Sequence, residues 1–316
     1  MIIVTGGSGL IGSNIIKQLN QKGEDKIILV DDLENGTKVH NISDLNIYDY
    51  WDKQDLIHNL NELNHKIEGI FHLGANSKTT EWDGKHLMKN NYEYSKDLLN
   101  WCIDNNILFV YASSASVYGT RDSNFKESRE FESPLNMYAY SKFQFDQYAR
   151  NKIAQGNNKI IGLRYFNVFG PRESHKGFMA STIFHFYNQL KESGSLRLFE
   201  GTNGIENGEQ MRDFVFVEDC AKVNLWFLEN QDNAGIFNVG TGVPRTFNDI
   251  ANSIIRYFGH GSIEYIPFPE KLKGVYQNYT CADLEALRNI GYYEKFLTLE
   301  EGITKYLDWL ELKSSC

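Results

Sequence analysis

The sequence has few cysteines, and their spacing suits neither a metal site nor a redox site. The chain forms no CxxC pair, and its eight histidines form neither an HxxxH nor an HxH spacing. Reduced thiols are therefore expected, and no metal site is predicted. The four cysteines are Cys102, Cys220, Cys281 and Cys316.

An excess of positive charge and a long apolar segment are also missing. The 32 Lys and Arg against 41 Asp and Glu give a formal net charge of -9. This balance argues against nucleic acid or an anionic membrane as a partner. No segment approaches the roughly 18 apolar residues that a membrane span needs. The first residues lack the basic region and cleavage pattern of a signal peptide, so a cytoplasmic location is expected.

Short, continuous apolar segments alternate with helical patterns over the first half of the chain. Continuous hydrophobicity is typical of strands that are buried on both faces of a parallel sheet. Helices are expected between the strands, for example at Asn90–Asn105 and Tyr138–Arg150. The alternation predicts an α/β fold with a Rossmann-type doubly wound parallel sheet. Its predicted strands are Ile2–Thr5, Lys26–Val30, Ile67–His72, Leu108–Ala112 and Lys159–Leu163.

The pattern changes after Gly170, and the chain is long enough for two lobes. Helices are predicted at Met179–Leu190 and Leu299–Leu312, whereas Phe214–Phe216 and Ile236–Val239 are expected to return to the sheet. We predict a dinucleotide-binding domain of residues 1–170 plus 212–242. A smaller, discontinuous C-terminal lobe of residues 171–211 plus 243–316 is predicted to bind the substrate.

A glycine-rich turn follows the first predicted strand. Gly6, Gly9 and Gly12 lie in the segment TGGSGLIG, between a strand and a helix. Glycine is required there for a tight turn, for close approach of the backbone to a pyrophosphate, and for packing of helix on strand. The helix N-terminus then offers free N–H groups to the anion. The turn predicts a nicotinamide dinucleotide site.

Acidic and basic residues after the second strand give opposite indications about that dinucleotide. Asp31 and Asp32 follow Gly12 at the spacing of an acid that bonds the adenosine ribose, which favours NAD. Lys38 and Lys53 offer ammonium groups that can neutralise a 2′-phosphate, which favours NADP. These residues alone leave the two cofactors equally supported.

A YxxxK motif supplies a candidate acid/base. Tyr138 and Lys142 lie on one face of a helix, where an ammonium is expected to stabilise the phenolate. A second match, Tyr92 with Lys96, follows an earlier strand. Only the first match comes after a strand that ends in serines, and there Ser114 can bond the hydroxyl that is oxidised. We therefore assign Tyr138 and Lys142 to catalysis, and Tyr92 and Lys96 to a solvated helix face.

Seven segments together resemble the extended short-chain dehydrogenase/reductase family. They lie at residues 5–12, 71–77, 113–119, 138–142, 163–172, 212–221 and 237–242. Within that family, residues 79–85, 173–177 and 265–274 resemble the ADP-glycero-manno-heptose 6-epimerases of lipopolysaccharide core assembly. The resemblance implies bound NADP, an ADP-heptose substrate and a homo-oligomer, in that subfamily a pentamer. It also implies an isomerase that oxidises C6″ and returns the hydride to the opposite face.

The resemblance further assigns residues to each ligand. It implies that Ser114, Tyr138 and Lys142 are catalytic and that Lys176 is a second acid/base. The implied cofactor contacts are Gly6, Gly9, Leu10, Ile11, Gly12, Asp31, Asp32, Lys38, Lys53, Leu73, Gly74, Ala75, Asn76, Ser77, Asn90, Lys142, Val168 and Lys176. The implied substrate contacts are Ser114, Asn167, Phe178, His185, Phe199, Glu200, Gly201, Thr202, Arg212 and Tyr276.

The chain departs from the subfamily at Phe178, at Asn76 and in a longer segment at residues 204–210, which changes the shape of the sugar pocket. Three alternatives stay open. A sugar-nucleotide 4-epimerase would share the seven broader segments. A 4,6-dehydratase would need an acid next to Ser114, which is followed by Ala115 instead. A non-catalytic dinucleotide-binding protein would have no need of Ser114, Tyr138 and Lys142 together.

Overall fold

The computed structural model describes residues 1–63, 66–157, 159–202, 204–270 and 276–314. Its strands are β1 (Ile2–Thr5), β2 (Ile27–Asp31), β3 (Asp49–Asp52), β4 (Gly69–His72), β5 (Leu108–Ser114), β6 (Ile160–Tyr165), β7 (Asn167–Phe169), β8 (Ser195–Phe199), β9 (Met211–Arg212), β10 (Phe214–Phe216), β11 (Gly235–Val239), β12 (Arg245–Thr246) and β13 (Ser262–Ile266). Its α-helices are α1 (Leu10–Gln21), α2 (Val39–Ile42), α3 (Leu56–Glu62), α4 (Gly84–Leu87), α5 (Tyr94–Asp104), α6 (Met137–Ala154), α7 (Thr182–Ser193), α8 (Val217–Glu229), α9 (Phe247–Phe258), α10 (Glu285–Asn289) and α11 (Leu299–Ser314).

A seven-stranded parallel sheet organises the larger part of the chain. Its strand order is β11-β6-β5-β4-β1-β2-β3, so the order reverses beside β1. This confirms the predicted Rossmann-type fold. In such sheets ligands bind at the carboxyl ends of the strands where the order reverses. β3 was not predicted, because the sequence Asp-Tyr-Trp-Asp has no continuous apolar stretch and lies at the exposed edge.

One predicted strand joins a different sheet. β11 pairs with β6 in the main sheet, as expected, but β10 pairs with β7 in a separate two-stranded sheet. The prediction that Phe214–Phe216 returns to the main sheet was therefore wrong. The position next to β6 is taken by β11, and the N–H of Phe166 at the end of β6 already bonds the Val239 carbonyl.

Apolar residues on the two sides of the sheet build two cores. Successive residues of a strand point to opposite faces, so Ile2 and Val4 join the core under α1 and α8, whereas Ile3 joins the core under α3, α5 and α6. Burying one such side chain contributes about 1.5–3 kcal/mol. Because both faces are covered, polar side chains of these strands concentrate at the strand ends.

A third apolar core lies in the later part of the chain, between α7, β8, α9 and α11. α7 begins at Thr182 rather than at the predicted Met179, because the Ser181 side chain accepts the N–H of Phe184 and caps the helix. The proposed domain boundaries stay a prediction. Among the described residues, no helix is long and apolar enough to cross a membrane.

Candidate active site

The glycine turn after β1 is packed too closely for side chains. Gly6 has a φ of +64°, and a Cβ there would lie 2.7 Å from the Gly74 nitrogen. A Cβ at Gly12 would overlap the Gly6 carbonyl. α1 starts at Leu10 with Gly9 as its N-cap, and its first turn carries no acidic residue. The turn therefore offers free backbone N–H groups and an open approach, which fits a pyrophosphate.

Each acid at the end of β2 is paired with lysine. Asp31 accepts bonds from the backbone and hydroxyl of Ser8, and its second oxygen accepts the Lys38 ammonium at 2.7 Å. Lys53 donates to Asp32 at 2.8 Å. Burial opposes ionisation of Asp32, but the Lys53 and Lys38 ammonium groups lower its pKa overall. A 2′-phosphate would have to share Lys38 with Asp31, so the geometry favours neither NAD nor NADP.

The segment after β4 lines the next part of the cleft. The N–H of Leu73 bonds the Thr5 carbonyl and the N–H of Gly74 bonds the Thr5 hydroxyl, which holds the segment against the glycine turn. Asn76 exchanges two hydrogen bonds with Asn91. Of the other predicted cofactor residues here, Ala75 is half-buried and Ser77 is exposed.

The structure shows a role for Asn91 that the sequence analysis missed. Asn90, the predicted cofactor residue, donates a side-chain hydrogen bond to the carbonyl of His86, four residues earlier. Asn91 is buried and also donates to the Ser141 hydroxyl at 3.0 Å, so it connects the Asn76 segment to α6. The signal was a polar residue on the apolar face of a helix.

The proposed catalytic side chains come together where β5 meets α6. The Tyr138 hydroxyl lies beside the Ser114 side chain, which acts on its pKa. Lys142 is buried and donates to the Ala112 carbonyl at 2.8 Å. The start of α6 is fixed by Asn136, whose side chain accepts the Ala139 N–H at 2.8 Å. The structure thus places the predicted serine, tyrosine and lysine at one carboxyl edge of the sheet.

The titration behaviour of this pair differs from the expectation. Burial raises the pKa of Tyr138, and the Ser114 hydrogen bond opposes that rise. Burial lowers the pKa of Lys142 to about 8, against the charge of Asp146. Burial outweighs the expected lowering of the tyrosine pKa, and the Lys142 ammonium bonds the Ala112 carbonyl.

Ser116, close to Ser114, is a further candidate for binding a ligand. The Ser116 hydroxyl is buried and has no hydrogen-bond partner among the described residues. Its backbone N–H donates to the Ser114 hydroxyl at 3.2 Å. A hydrogen-bonding group left free at this position is available to a ligand. The sequence analysis gave Ser116 no role.

The second YxxxK match has a different environment. The Lys96 ammonium pairs with Glu93 at 2.5 Å and lies 5.2 Å from the centre of the Tyr92 ring. The Tyr92 ring packs edge-on against Tyr148. Tyr92 is half-buried against the core under α3, α5 and α6, and Lys96 is half-buried beside it.

Lys176 lies on the short 3₁₀ segment Ser174–Met179, beyond β7. Burial lowers the pKa of Lys176, and the charge of Glu173 opposes that lowering. Within the described residues, its ammonium makes no hydrogen bond or ion pair. The buried Glu173 accepts the N–H of Ser181 at 2.6 Å and its hydroxyl at 2.7 Å, which fixes the start of the segment.

The Lys176 segment is attached to the cofactor side of the sheet. Asn41 donates to the Ser8 carbonyl of the glycine turn at 2.8 Å and lies 2.9 Å from Nδ1 of His175. Asn14 of α1 donates to the Pro171 carbonyl at 3.0 Å. These bonds place the residue before Lys176 one side chain away from the glycine turn.

A buried arginine and three aromatic rings form a second group of predicted substrate residues. The Arg212 guanidinium lies 4.8 Å from the centre of the Tyr276 ring, and its Nη1 donates to the Met211 carbonyl. Phe199 and Phe268 pack edge-on against the same tyrosine. Among the described residues, no carboxylate pairs with Arg212, so its charge is available to an anion.

The remaining predicted substrate residues lie around this group. Gly201 donates its N–H to the Asn207 side chain, and a Cβ at Gly201 would overlap the Ile205 carbonyl. Gln210 holds the Glu200 carbonyl at 3.2 Å, while Thr202 accepts the Ile205 N–H at 3.1 Å. Residues 200–202 are thus held by the loop that follows them.

One departure from the subfamily, Phe178, lies at the surface, as does part of β7. Phe178 is 70% exposed, and its carbonyl lies 3.3 Å from Nε2 of His185. In β7, Asn167 is exposed and Val168 half-buried. Of the segment at residues 265–274, residues 271–274 lie outside the described part of the chain. The described residues contain no cluster of three or more His, Cys, Asp or Glu that would hold a metal ion.

Comparisons with known proteins place this geometry in a family. A family model described as the NAD dependent epimerase/dehydratase family matches residues 2–240. The ADP-L-glycero-D-manno-heptose-6-epimerase of Helicobacter pylori is 29% identical, with a TM-score of 0.84, 98% of this chain and 96% of that chain covered. The UDP-N-acetylglucosamine 4-epimerase of Methanobrevibacter ruminantium is 27% identical, with a TM-score of 0.84 and coverage of 99% and 98%.

A third similar structure is the UDP-glucose 4-epimerase of Thermotoga maritima, solved with UDP-glucose. It is 26% identical, with a TM-score of 0.82, and 99% of each chain is covered. The match to the family model covers well over half of the chain and includes the glycine turn, Ser114 and the YxxxK motif at Tyr138. The chain belongs to the NAD-dependent epimerase/dehydratase family of extended short-chain dehydrogenases/reductases.

Proposed function

We propose that this protein is an NADP-dependent sugar-nucleotide 6-epimerase that interconverts ADP-D-glycero- and ADP-L-glycero-D-manno-heptose for lipopolysaccharide core assembly. The observation that carries the proposal is Lys176, a half-buried ammonium without a described partner, on a segment attached to the glycine turn. An epimerase that returns a hydride to the opposite face needs a proton carrier on each face. Tyr138 and Lys176 are the two carriers.

The chain fits the cofactor. The glycine turn leaves the space that a pyrophosphate needs, and the lysines near Asp31 and Asp32 supply positive charge beside the ribose. When bound, the nicotinamide accepts a hydride from the sugar carbon and returns it. Asn91, Asn76 and Lys142 hold the walls of the cleft in place.

Tyr138 acts on the sugar hydroxyl. In the oxidation step the C–H electrons leave as hydride, and the O–H proton passes to the Tyr138 oxygen, so a carbonyl forms. Ser114 donates a hydrogen bond to the sugar oxygen and stabilises the charge on it. Burial raises the pKa of Tyr138, and the Ser114 side chain opposes that rise, so Ser114 favours the ionised form that accepts the proton.

Lys176 acts on the other face. After the ketone turns in the cleft, hydride returns to the opposite side of the carbon, and Lys176 donates the proton that the oxygen then needs. Burial lowers the pKa of Lys176, which makes the proton easier to release. The hydride taken in the first step is returned in the second, so the reaction has no net redox change. One turnover leaves a proton on Tyr138 and removes one from Lys176, and exchange of these protons with solvent restores both groups.

Arg212 and the aromatic rings hold the nucleotide. The guanidinium can bond two phosphate oxygens at once, and the rings offer an apolar surface to the base. The likeness in fold to sugar-nucleotide epimerases supports this use. We also propose that the protein assembles as a homo-oligomer, specifically a pentamer.

A UDP-sugar 4-epimerase is the second candidate, favoured by the similarly high TM-scores of two 4-epimerases. One experiment separates the two. The protein is incubated in turn with ADP-D-glycero-D-manno-heptose, UDP-glucose and UDP-N-acetylglucosamine, and the products are followed by NMR. Inversion at C6″ of the heptose alone supports the proposal. Inversion at C4″ of a UDP-sugar, with the heptose unchanged, would replace it with the second candidate.

A further inference from the structure

A buried carboxylate lies behind the proposed catalytic groups. Asp146 of α6 is fully buried. It accepts the Tyr111 hydroxyl at 2.9 Å and the Ser113 hydroxyl at 2.9 Å, both from β5. It also accepts Nε and Nη2 of Arg164 in β6, at 2.9 and 2.8 Å. Four donors thus hold one carboxylate, and it fastens α6 to two strands at once.

These contacts continue along the helix toward the proposed site. Asp146, Lys142 and Tyr138 are spaced four residues apart, so they lie on one face of α6. Lys142 bonds the carbonyl of Ala112, and Tyr138 meets the hydroxyl of Ser114. Three successive turns of the helix therefore bond the last four residues of β5.

The attachment of α6 to β5 through Asp146 determines how the Tyr138 hydroxyl is aligned with Ser114. A buried carboxylate that is hydrogen-bonded and shielded from solvent holds its donors strongly. Removing one of its partners therefore destabilises the fold. Tyr138 lies in the first turn of α6, about two turns before Asp146. Displacement by about 1 Å at this point is enough to impair proton transfer.

We propose that Asp146 is a positioning residue, whose carboxylate sets the register of α6 on β5 so that the Tyr138 hydroxyl meets Ser114. The inference rests on the proposed role of Tyr138 as proton carrier. Glu132 provides the contrast within the same network. It is buried and pairs with Arg164 and Arg150, but it precedes α6.

The test follows the ionisation of Tyr138 in the full-length chain with its bound dinucleotide. The chain carries ¹³C-labelled tyrosine, and the Tyr138→Phe spectrum assigns the resonance. Since the Ser114 hydrogen bond lowers the pKa of Tyr138, loss of alignment should raise the titration midpoint. The charged and titratable groups around Asp146 and Lys142 are Tyr111, Arg164, Glu132, Arg150 and His72.

The decisive variant is Tyr111→Phe with Ser113→Ala. It removes both bonds from Asp146 to β5 and keeps every charge. The midpoint of Tyr138 should rise by about half a pH unit or more. With an active substrate, kcat should fall about tenfold while KM stays within about twofold. If the double variant does not fold, Ser113→Ala alone is titrated, and its midpoint must also rise.

The matched control is Glu132→Gln. It removes a carboxylate from Arg164, so it should lower the free energy of unfolding, but it should leave the Tyr138 midpoint unchanged. Equal midpoints in the wild type and the variants of Tyr111 and Ser113 would overturn the proposal. So would an equal rise in Glu132→Gln, because Asp146 would then be one structural carboxylate among several.

The titration needs no substrate. If the midpoints shift as expected while no sugar nucleotide is epimerised, the proposed function fails and the positioning role of Asp146 stands. If epimerisation is found and the midpoints do not shift, only the inference about Asp146 fails.

Discussion

Arg172 forms a bidentate ion pair with Asp44, with Nη1–Oδ1 at 2.8 Å and Nη2–Oδ2 at 2.7 Å, across 128 residues of sequence. Arg172 is buried, and its backbone adopts a φ of +76°, which is unusual for a side chain of this size. The pair connects the segment before Lys176 to the turn after α2, the helix that follows Lys38. The region proposed for proton transfer is therefore linked to the stretch of chain that follows the proposed ribose site.

The first prediction concerns the stability that this pair supplies. The hydrogen bonds of Arg172 lower the pKa of Asp44 from 3.8 to about 2, against partial burial. A depressed carboxyl pKa stabilises the fold above about pH 4, and the contribution is lost as the pH falls toward 2. Asp44→Asn should lower the free energy of unfolding by about 1 kcal/mol at pH 7, after allowing for the exposure of Asp44.

Urea unfolding between pH 7 and pH 2 measures the effect. The difference between wild type and Asp44→Asn should shrink to nothing near pH 2. Glu229→Gln breaks the exposed pair with Lys22 and should change stability by under about 0.5 kcal/mol at every pH. A constant difference across the pH range would contradict the assignment of the pair.

The second prediction separates the two YxxxK motifs. Tyr138→Phe keeps the ring and removes the phenolic proton carrier, so the rate should fall by about 10²–10⁴-fold. Tyr92→Phe should keep nearly the full rate, because Tyr92 contacts Lys96 and Tyr148 at the surface. Steady-state rates with whichever sugar nucleotide the NMR experiment shows to be epimerised provide the comparison. Similar losses in both folded variants would show that the wrong motif was assigned.

The third prediction concerns Lys176. Lys176→Met keeps the length of the side chain and deletes the charge, so epimerisation should fall by about 10²-fold or more with bound cofactor intact. Dismutation of an aldehyde analogue of the substrate needs hydride transfer but no inversion. This activity should therefore persist in Lys176→Met. Lys305→Met, on the exposed face of α11, is the control. A raised KM with unchanged kcat would mean that Lys176 only binds phosphate.

The fourth prediction concerns the nucleotide. Arg212→Ala removes a buried charge that has no described carboxylate partner, so KM for the nucleotide sugar should rise strongly. The amount of dinucleotide that copurifies should change little. Arg197→Ala, whose exposed side chain pairs with Glu264, serves as the control. An unchanged KM in Arg212→Ala would place the nucleotide sugar elsewhere.

The fifth prediction concerns the dinucleotide. The purified protein should carry tightly held NADP, because a cofactor that is regenerated in each turnover has no need to leave. Lys38→Ala should weaken NADP more than NAD, since the ammonium that faces a 2′-phosphate is lost. Chromatography of the extracted cofactor, with titration of both dinucleotides, measures this. Pure NAD in the wild type would refute the role given to Lys38 and Lys53.

The sequence predicts the buried part of the fold well. β1, β4 and β5 are continuous apolar segments flanked by helices, and such segments have few other arrangements. The exposed strand β3 and the partner of β10 could not be predicted. Each depends on which neighbouring strand is free to form hydrogen bonds in the folded chain. At the site, Ser114, Tyr138 and Lys142 followed from spacing. The raised pKa of Tyr138 did not, because it depends on how far the folded chain buries this side chain.

The outermost strand of the main sheet, β3, has a sequence that opposes pairing with another chain. β3 exposes a row of unpaired backbone groups, and such an edge invites another chain to add a strand. Its sequence begins and ends with an aspartate, Asp49 and Asp52, and the Trp51 ring nitrogen donates to Asp49 at 2.8 Å. Negative charge at both ends repels a second copy of the same strand. The residues that made β3 hard to predict therefore also disfavour pairing of this edge with a second copy of the chain.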